Sequence, residues 1–248
     1  MNSKIIKYII IILLLPVVPL KATAQTGIYY STNGQLSSSL INQLYQDHRG
    51  FIWISTEFGL NKFDGTHFIH YKHIDNDSTS LINNHVRGVF EDSYRNLWIR
   101  CLGGLMLYHP ETDNFELIKI EGKEGRHVTN IMELHNGEVW GITTGDTIFR
   151  INLTQKVIEP IDEINRKLRL KSFSSIYEDT RRNLWFISET QGLLCFNPKS
   201  EEIQHFKYPD IPENNISAIK EDQNGNLFIG TLTKGLCLSL IHISEPTR

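Results

Sequence analysis

The segment DHRGFIW at residues 47–53 decides the fold, because variants of it return four more times along the chain. These variants are DSYRNLW at 92–98, LHNGEVW at 134–140, DTRRNLW at 179–185 and DQNGNLF at 222–228. Their final aromatic residues lie 45, 42, 45 and 43 positions apart. A fixed period of about 40–50 residues predicts a repeat architecture, and a four-stranded propeller blade has this length.

The residues around each copy favour β-strands. An apolar-rich or alternating segment precedes each turn and predicts a first strand at Ile41–Gln46, Val86–Glu91, Val128–Leu134, Phe173–Glu178 and Ile216–Glu221. The dense apolar run after each turn is typical of a strand covered on both faces. Further on, Gly-Leu pairs predict a turn into a third strand, at Gly59, Gly104, Gly192 and Gly235. More polar segments predict an outer strand at Phe68–Tyr71, Phe115–Ile118, Val157–Ile158 and Ile203–Phe206.

These elements predict an all-β protein, a β-propeller of four-stranded antiparallel blades with about five of an expected seven present. Helical solenoids share the period, but the chain lacks the amphipathic stretches that they need. WD-type propellers have aspartate after the tryptophan, and no tryptophan here is followed by aspartate. One short helix is predicted at Asp162–Lys171, as an insertion between blades.

The turn residues have predicted roles within each copy. Aspartate caps backbone N–H groups of a tight hairpin, at Asp47, Asp92, Asp179 and Asp222. Residues expected to adopt positive φ in these hairpins are Gly50, Gly137, Gly225, Asn96 and Asn183. The aromatic residues are expected at equivalent buried positions, namely Trp53, Trp98, Trp140, Trp185 and Phe228. The third copy has Leu134 in place of the aspartate, so we expect an irregular blade there.

Residues 1–24 predict a secretory signal peptide. Lys4 and Lys7 precede a short apolar stretch, and an Ala-Thr-Ala tripeptide supplies the small residues for cleavage between Ala24 and Gln25. A retained membrane anchor is the alternative, which the short stretch and its two prolines disfavour. The propeller blades are then assigned to residues 25–237.

Residues 238–248, LSLIHISEPTR, depart from the repeat. They look like the in-frame translation of a sequencing-library adapter of the transposase type. Other copies continue at this point through an aromatic-Asp or aromatic-Asn turn, as at Phe63-Asp64 and Phe196-Asn197, into an outer strand. We therefore expect residues 238–248 not to be native sequence. A natural C-terminal tail is the alternative.

The charge balance excludes one class of partner. Removal of residues 1–24 takes away three lysines and no acids, which leaves 22 basic and 28 acidic side chains and a net charge of −6. An acidic chain without a basic stripe does not attract phosphate backbones, so we expect no direct contact with nucleic acid.

Few residues suggest catalysis or metal binding. The cysteines, at 101, 195 and 237, each lie in an apolar run and are expected to be buried small hydrophobes, with a disulfide between two of them as the alternative. His67, His70 and His73 suggest a metal site, but on a strand His70 points away from the other two, which lie about 20 Å apart. Glu57 and Glu189, near the ends of Trp-bearing strands, are the only candidate catalytic acids for a glycosidase or lyase. We expect surface roles for both, no cofactor, no metal and no catalytic domain.

The repeat resembles the two-component regulator propeller family, whose pattern is roughly Asp-x-x-Gly-Asn-Leu-Trp-Ile-Gly-Thr, then Gly-Leu and an aromatic-Asp or aromatic-Asn ending. The segments Gly50–Gly65 and Gly225–Thr231 match this pattern closely. The resemblance extends from about Tyr29 to Leu236.

The resemblance implies the periplasmic sensor region of a hybrid two-component histidine kinase from a gut-type Gram-negative bacterium. In such proteins, propellers and an immunoglobulin-like domain precede a membrane helix, a kinase, a receiver and a DNA-binding module. Many of them detect oligosaccharides released from complex glycans and regulate polysaccharide utilisation genes. The implied partners are a small glycan-derived ligand, the remainder of the chain with its membrane helix and kinase, and a second copy in a homodimer. A secreted propeller enzyme acting on polysaccharide and a propeller interaction scaffold are the alternatives.

Overall fold

The computed structural model describes residues 27–120, 127–145, 147–168 and 173–239. The chain divides into two compact units, Met1–Tyr30 and Ser31–Arg248. In the first unit, the described residues 27–30 have no regular secondary structure. The predicted signal peptide at residues 1–24, with Ala24, and the following Gln25 lie outside the described residues, as do residues 240–248.

The second unit contains five consecutive blades in its described part, one for each copy of the repeat, and these blades form four β-sheets. Blade one is formed by β1 (Ile41–Gln46), β2 (Ile52–Thr56), β3 (Gly59–Phe63) and β4 (Phe68–Tyr71). Blade two is formed by β5 (Val86–Glu91), β6 (Leu97–Cys101), β7 (Gly104–His109) and β8 (Asn114–Ile120). Blade three is formed by β9 (Val128–Glu133), β10 (Val139–Thr143), β11 (Ile148–Asn152) and β12 (Val157–Pro160).

The helix α1 (Asp162–Leu168) separates blade three from blade four. Blade four is formed by β13 (Phe173–Glu178), β14 (Leu184–Ser188), β15 (Gly192–Phe196) and β16 (Ile203–Phe206). Blade five has three strands in the described residues, β17 (Ile216–Glu221), β18 (Leu227–Thr231) and β19 (Leu236–Ser239). Leu238 and Ser239, the first two residues of the segment assigned to an adapter, belong to β19. Consecutive strands within each blade are antiparallel neighbours, so the predicted all-β propeller class is confirmed.

The apolar cores lie between blades. In the described part of the chain, four clusters of buried side chains each join one blade to the next, so that Trp53 of blade one packs with Leu97 and Phe115 of blade two. Trp98 packs likewise with blade three, and Trp185 with blade five. Burial of apolar surface favours folding by roughly 25 cal/mol per Å². Each blade is therefore stabilised chiefly by its neighbours.

All five repeat aromatics occupy the second residue of the second strand in their blade. Trp53, Trp98 and Trp185 are at most 1% exposed. The expectation of equal burial is not met by Trp140 and Phe228, which are only partly buried. Phe228 has no following blade to cover it in the described residues, and Trp140 borders a cleft.

Blade three departs from its neighbours at its outer edge. Its last strand, β12, pairs in parallel with the outer strand β8 of blade two, through Val157 with Lys119 and Ile158 with Ile120. The two blades therefore form one eight-stranded sheet. On the other side of blade three, α1 contributes Ile164 and Leu168 to the core shared with blade four. The predicted irregularity of this blade thus takes the form of a shifted outer strand and an inserted helix.

Small corrections apply to the predicted elements. Strand β9 ends at Glu133, one residue before Leu134, and α1 extends to Leu168 within the described residues. Within the described ranges, no helix has the length and apolar character to cross a membrane.

The prediction that Asn96 and Asn183 adopt positive φ is wrong. The left-handed residues are Arg95 (φ 70°) and Arg182 (φ 72°), three positions after the turn aspartate. Gly50, Gly137 and Gly225 occupy the same third position in the other blades, with φ of 82–89°. The asparagines follow one position later and donate their side-chain N–H to the aspartate instead.

Candidate functional site

The hairpin turn of the regular blades holds the tryptophan by its ring nitrogen. Trp53 Nε1 donates to Asp47 Oδ2 at 2.9 Å, and the equivalent bonds are 2.9 Å in blade two and 2.8 Å in blade four. The other carboxylate oxygen, Oδ1, accepts backbone N–H groups of the turn. The three aspartates involved are at most 5% exposed. A buried carboxylate with satisfied oxygens fixes both the turn and the ring.

Blade three lacks this arrangement because Leu134 replaces the aspartate. Trp140 Nε1 donates to Glu138 Oε2 at 3.1 Å instead, and Asn136 Nδ2 donates to the same oxygen at 3.1 Å. Glu138 is only partly buried. The indole of Trp140 is therefore held at the surface of the blade, where part of its ring remains accessible.

A cavity of about 410 Å³ lies beside Trp140, between blades three and four, and we call it the blade-three cleft. It is bordered by the β9–β10 turn, by α1, and by the β13–β14 and β15–β16 turns of blade four. Leu134, Ile164, Leu184 and Phe196 supply an apolar lining. Small-molecule sites commonly have volumes of about 300–1,000 Å³ and an apolar lining with a few polar groups. The cleft has both properties.

Charged side chains surround the apolar lining. Four glutamates line the cleft, and each has a partner: Glu138 with Trp140, Glu178 with His135, and Glu163 and Glu201 with Lys167. The Lys167 Nζ atom lies 2.6 Å from Glu201 and 3.2 Å from Glu163. Hydrogen bonding to these carboxylates raises the pKa of Lys167 above its usual value and lowers that of Glu201.

Three further cations line the cleft: Arg181, Arg182 and Lys199. They are exposed, and their side chains make no ion pair with any other described residue. Of the four cations that line the cleft, Lys167 is therefore paired with carboxylates, whereas the other three have no such partner within the described ranges.

A second repeated feature joins the blades and was not anticipated from the sequence. The last residue of each first strand from blade two onward is a glutamate whose carboxylate binds the turn of the preceding blade. Glu91 accepts from His48 N at 2.8 Å, and Glu221 accepts from Thr180 N and Oγ1 at 2.7 Å each. The other two contacts of this kind join Glu133 to Ser93 and Glu178 to His135. We call these four contacts the interblade latches.

The two candidate acids lie apart from the cleft. Glu57 follows β2, in the β2–β3 turn, and its Oε2 is 2.8 Å from Nδ1 of His85, at the entry to blade two. Glu189 occupies the equivalent turn of blade four and is exposed. Glu57 is thus paired with a histidine of the next blade, and Glu189 lies in a separate turn of another blade.

The three clustered histidines have separate partners. His67 contacts Thr66 and Asp64, His70 contacts Asn61 Oδ1 at 2.8 Å, and His73 contacts Leu81 O at 2.7 Å. In the described part of the chain, no group of three or more His, Cys, Asp or Glu has an arrangement that could hold a metal ion.

The cysteines, all in described strands, are unpaired. Cys101 and Cys195 are buried, and burial raises the pKa of each thiol to about 12. Cys237 is partly buried. A thiol with a raised pKa is a poor nucleophile, because the thiolate is the reactive form.

The comparisons with known proteins identify the repeat. The two-component regulator propeller family matches residues 35–58 and residues 210–233. These two segments hold the first two strands of blade one and of blade five. In these two segments the chain carries two-component regulator propeller repeats. No curated protein matches the chain in sequence.

Solved structures extend the likeness beyond these two repeats. The extracellular domain of BT3049, assigned as a hybrid two-component system of Bacteroides thetaiotaomicron, is 27% identical with a TM-score of 0.73, and the match covers 88% of this chain and 31% of that one. The extracellular domain of BT4673 from the same organism is 22% identical with a TM-score of 0.63, covering 77% of this chain and 28% of that one. The chain thus forms a domain like the extracellular domain of BT3049 and shares the fold of that of BT4673, and it spans about a third of the length of each.

A propeller enzyme also shares the fold. Virginiamycin B lyase from Staphylococcus aureus, in an inactive variant with quinupristin, is 16% identical with a TM-score of 0.59, covering 88% of this chain and 73% of that one. At this identity the likeness concerns the fold alone.

Proposed function

We propose that this chain is the ligand-binding part of a periplasmic sensor in a two-component signalling protein, and that its ligand is an oligosaccharide released from a complex glycan. The observation that carries the proposal is the 27% identity, over 88% of the chain, to an extracellular domain assigned to a hybrid two-component system. The signal peptide expected at residues 1–24 supports export of the chain across the inner membrane.

The blade-three cleft is the proposed binding site of the ligand. Sugar rings present an apolar face of C–H groups and an edge of hydroxyls, so they suit a flat aromatic ring bordered by polar groups. The partly accessible Trp140 supplies the ring, and Asn136, Asn197 and Glu138 supply donors and acceptors at the edge of the cleft.

In this proposal the chain acts through the rest of its own protein. Ligand binding to the propeller biases a membrane helix and a histidine kinase further along the chain, and a second copy in a homodimer is a further partner. A ligand can shift such an equilibrium only by its difference in affinity between the two states. The cleft between two blades is a place where such a difference can arise, because a ligand there contacts both.

A secreted enzyme acting on polysaccharide is a less favoured candidate. A glycosidase needs two carboxyl groups about 5–10 Å apart around one bond. Glu57 already binds His85, and neither Glu57 nor Glu189 lines the blade-three cleft.

The test is a binding screen of the purified chain against neutral and acidic oligosaccharides from plant and host glycans, by isothermal titration calorimetry. We expect at least one oligosaccharide to bind. Binding is expected to fall at least about tenfold in Trp140→Phe if the ring stacks on the ligand, with Trp98→Phe as the matched control in blade two. Release of reducing ends or unsaturated products from the same panel would favour the enzyme, and the absence of binding to every oligosaccharide would contradict the proposal.

A further inference from the structure

The blade-three cleft is lined by four glutamates and four cations, but only one of these cations is paired with a carboxylate in the described part of the chain. Its four glutamates are each satisfied by a neighbour, and the one lysine on α1, Lys167, is neutralised by Glu163 and Glu201. Arg181, Arg182 and Lys199 remain without an acidic partner among the described residues. The formal charges of the lining cancel, so the feature open to an incoming anion is local: three cations that have no carboxylate within ion-pair distance among the described residues.

The three cations occupy one side of the cleft. Arg181 and Arg182 belong to the β13–β14 turn of blade four, and Lys199 belongs to the β15–β16 turn of the same blade. Trp140 and Leu134 belong to blade three, on the facing side. A molecule in the cleft therefore meets the aromatic ring from one blade and these three cations from the next, where Glu178 and Glu201 also line the cleft.

We propose that the blade-three cleft selects acidic sugars, with the apolar face of a ring against Trp140 and a carboxylate or sulfate against Arg181, Arg182 and Lys199. This inference rests on the proposed function and adds the chemical class of the ligand. Guanidinium groups bind such anions through paired, charge-assisted hydrogen bonds, and these are stronger than bonds between neutral groups.

The turn of blade two provides a matched control for Arg182. The left-handed backbone of Arg182, φ 72°, is a conformation that arginine rarely adopts and glycine adopts freely. Blade two offers a matched arginine, Arg95, with the same position in its turn and a φ of 70°. Arg95 does not line the cleft.

The experiment measures the affinity of the purified chain for three probes of similar size: tetragalacturonate, sulfated neocarratetraose and neutral maltotetraose. Affinity is measured by isothermal titration calorimetry at about 50 mM and 500 mM NaCl, since exposed charge–charge contacts weaken with salt. We expect at least one acidic probe to bind about tenfold or more tightly than maltotetraose, with the difference shrinking at high salt. The two acidic probes separate a carboxylate from a sulfate as the recognised group.

Variants test whether the preference for the acidic probe arises in the cleft. Arg182→Gln is expected to weaken binding of the acidic probe at least fivefold. Arg95→Gln, which makes the same substitution at the matched left-handed position of blade two, is expected to change the affinity less than twofold. Lys199→Gln, at an exposed position, provides a second variant if Arg182→Gln fails to fold, as judged by circular dichroism.

The outcomes separate the two proposals. Equal affinity for neutral and acidic probes, or loss of affinity in Arg95→Gln as large as in Arg182→Gln, would overturn the acidic class and leave an oligosaccharide sensor standing. Failure of all three probes and of the wider panel would overturn the sensor proposal itself. If no sugar binds and a polyglutamate peptide binds with the same dependence on Arg182, the ligand class would be an acidic peptide and not a sugar.

Discussion

The carboxylate of Glu91, at the end of blade two's first strand, accepts a hydrogen bond from the backbone N–H of His48 in blade one at 2.8 Å. The His48 ring contacts the other oxygen of the same carboxylate. The Glu91 side chain is only 7% exposed. One glutamate therefore joins two blades through two bonds, across 43 positions of the chain.

Loss of this latch is expected to destabilise the pair of blades. Glu91→Ala removes both bonds and leaves the His48 N–H without its partner, which we expect to cost about 1–3 kcal/mol of unfolding free energy. His48→Ala removes the ring contact alone and is expected to cost less. Denaturant unfolding measures both, with Glu111→Ala on the exposed β7–β8 turn as a control expected within about 0.5 kcal/mol of the parent. Equal stabilities of Glu91→Ala and Glu111→Ala would contradict a stabilising latch.

The tryptophans are expected to differ in their response to loss of the ring N–H. Trp→Phe removes the donor and preserves most of the apolar ring. In blade one it leaves the buried Asp47 Oδ2 with only Arg49, at 3.8 Å, whereas in blade two Asn96 Nδ2 still donates to Asp92 Oδ2 at 2.9 Å.

We therefore expect Trp53→Phe to lose the most unfolding free energy, Trp98→Phe to lose less and Trp140→Phe to lose the least. An unsatisfied buried carboxylate oxygen costs about 1–3 kcal/mol, and Glu138 is accessible to water. Chemical denaturation of the three variants checks the order. A loss in Trp140→Phe as large as that in Trp53→Phe would contradict it.

The positions of the strands could be predicted because each blade repeats one local pattern. The turn, the apolar run and the Gly-Leu pair are all short-range signals, and β1, β5, β13 and β17 begin and end where this pattern places them. The residue with positive φ could not be assigned from residue type alone. Asparagine tolerates that conformation, but the turn fixes it at the third position after the aspartate, where Arg95 and Arg182 stand.

The latches and the cleft depend on contacts between blades. Aligning the copies at their turns would have revealed the latch position, because the position of Gln46 in the first copy is occupied by glutamate in the other four. No such alignment reveals the cleft. It depends on where α1 packs between blades three and four, and this does not follow from the repeat.

The contact between blades one and two is expected to respond to pH. Asp113 Oδ1 accepts the hydroxyls of Tyr71 at 2.6 Å and Tyr108 at 2.5 Å, and Lys62 Nζ donates to Tyr108 at 3.1 Å. Burial acts to raise the pKa of Asp113, but these hydroxyls and the charge of Lys62 outweigh it and hold the pKa below its usual value. Burial also raises the pKa of Tyr108 to about 12.

The direction of each pKa shift determines the pH range in which the group stabilises the fold. A lowered carboxyl pKa stabilises the fold above the unfolded value of about 3.9, and this contribution disappears as the pH falls through the folded pKa. The stability difference between the parent and Asp113→Asn is therefore expected to shrink below about pH 4. A raised phenol pKa stabilises the fold below about pH 10, and this contribution disappears as the pH rises towards 12. Unfolding curves at several pH values check both arms, with Tyr108→Phe for the alkaline one. A pH-independent difference would contradict the assigned shifts.

The third turn position offers a matched test of backbone strain. Arg95 and Gly50 occupy the same place in adjacent blades, with φ of 70° and 89°. A left-handed conformation costs a residue with a Cβ about 1–2 kcal/mol, while glycine adopts it without this cost but loses more freedom on folding. Arg95→Gly is therefore expected to raise the free energy of unfolding by about 0.5–1 kcal/mol. Gly50→Ala is expected to lower it by about 1 kcal/mol, through strain alone, because the nearest atom to the added Cβ would be Gln46 Nε2 at 4.0 Å. Thermal and denaturant unfolding measure both variants, and destabilisation by Arg95→Gly would show that the arginine side chain contributes more than its backbone conformation costs.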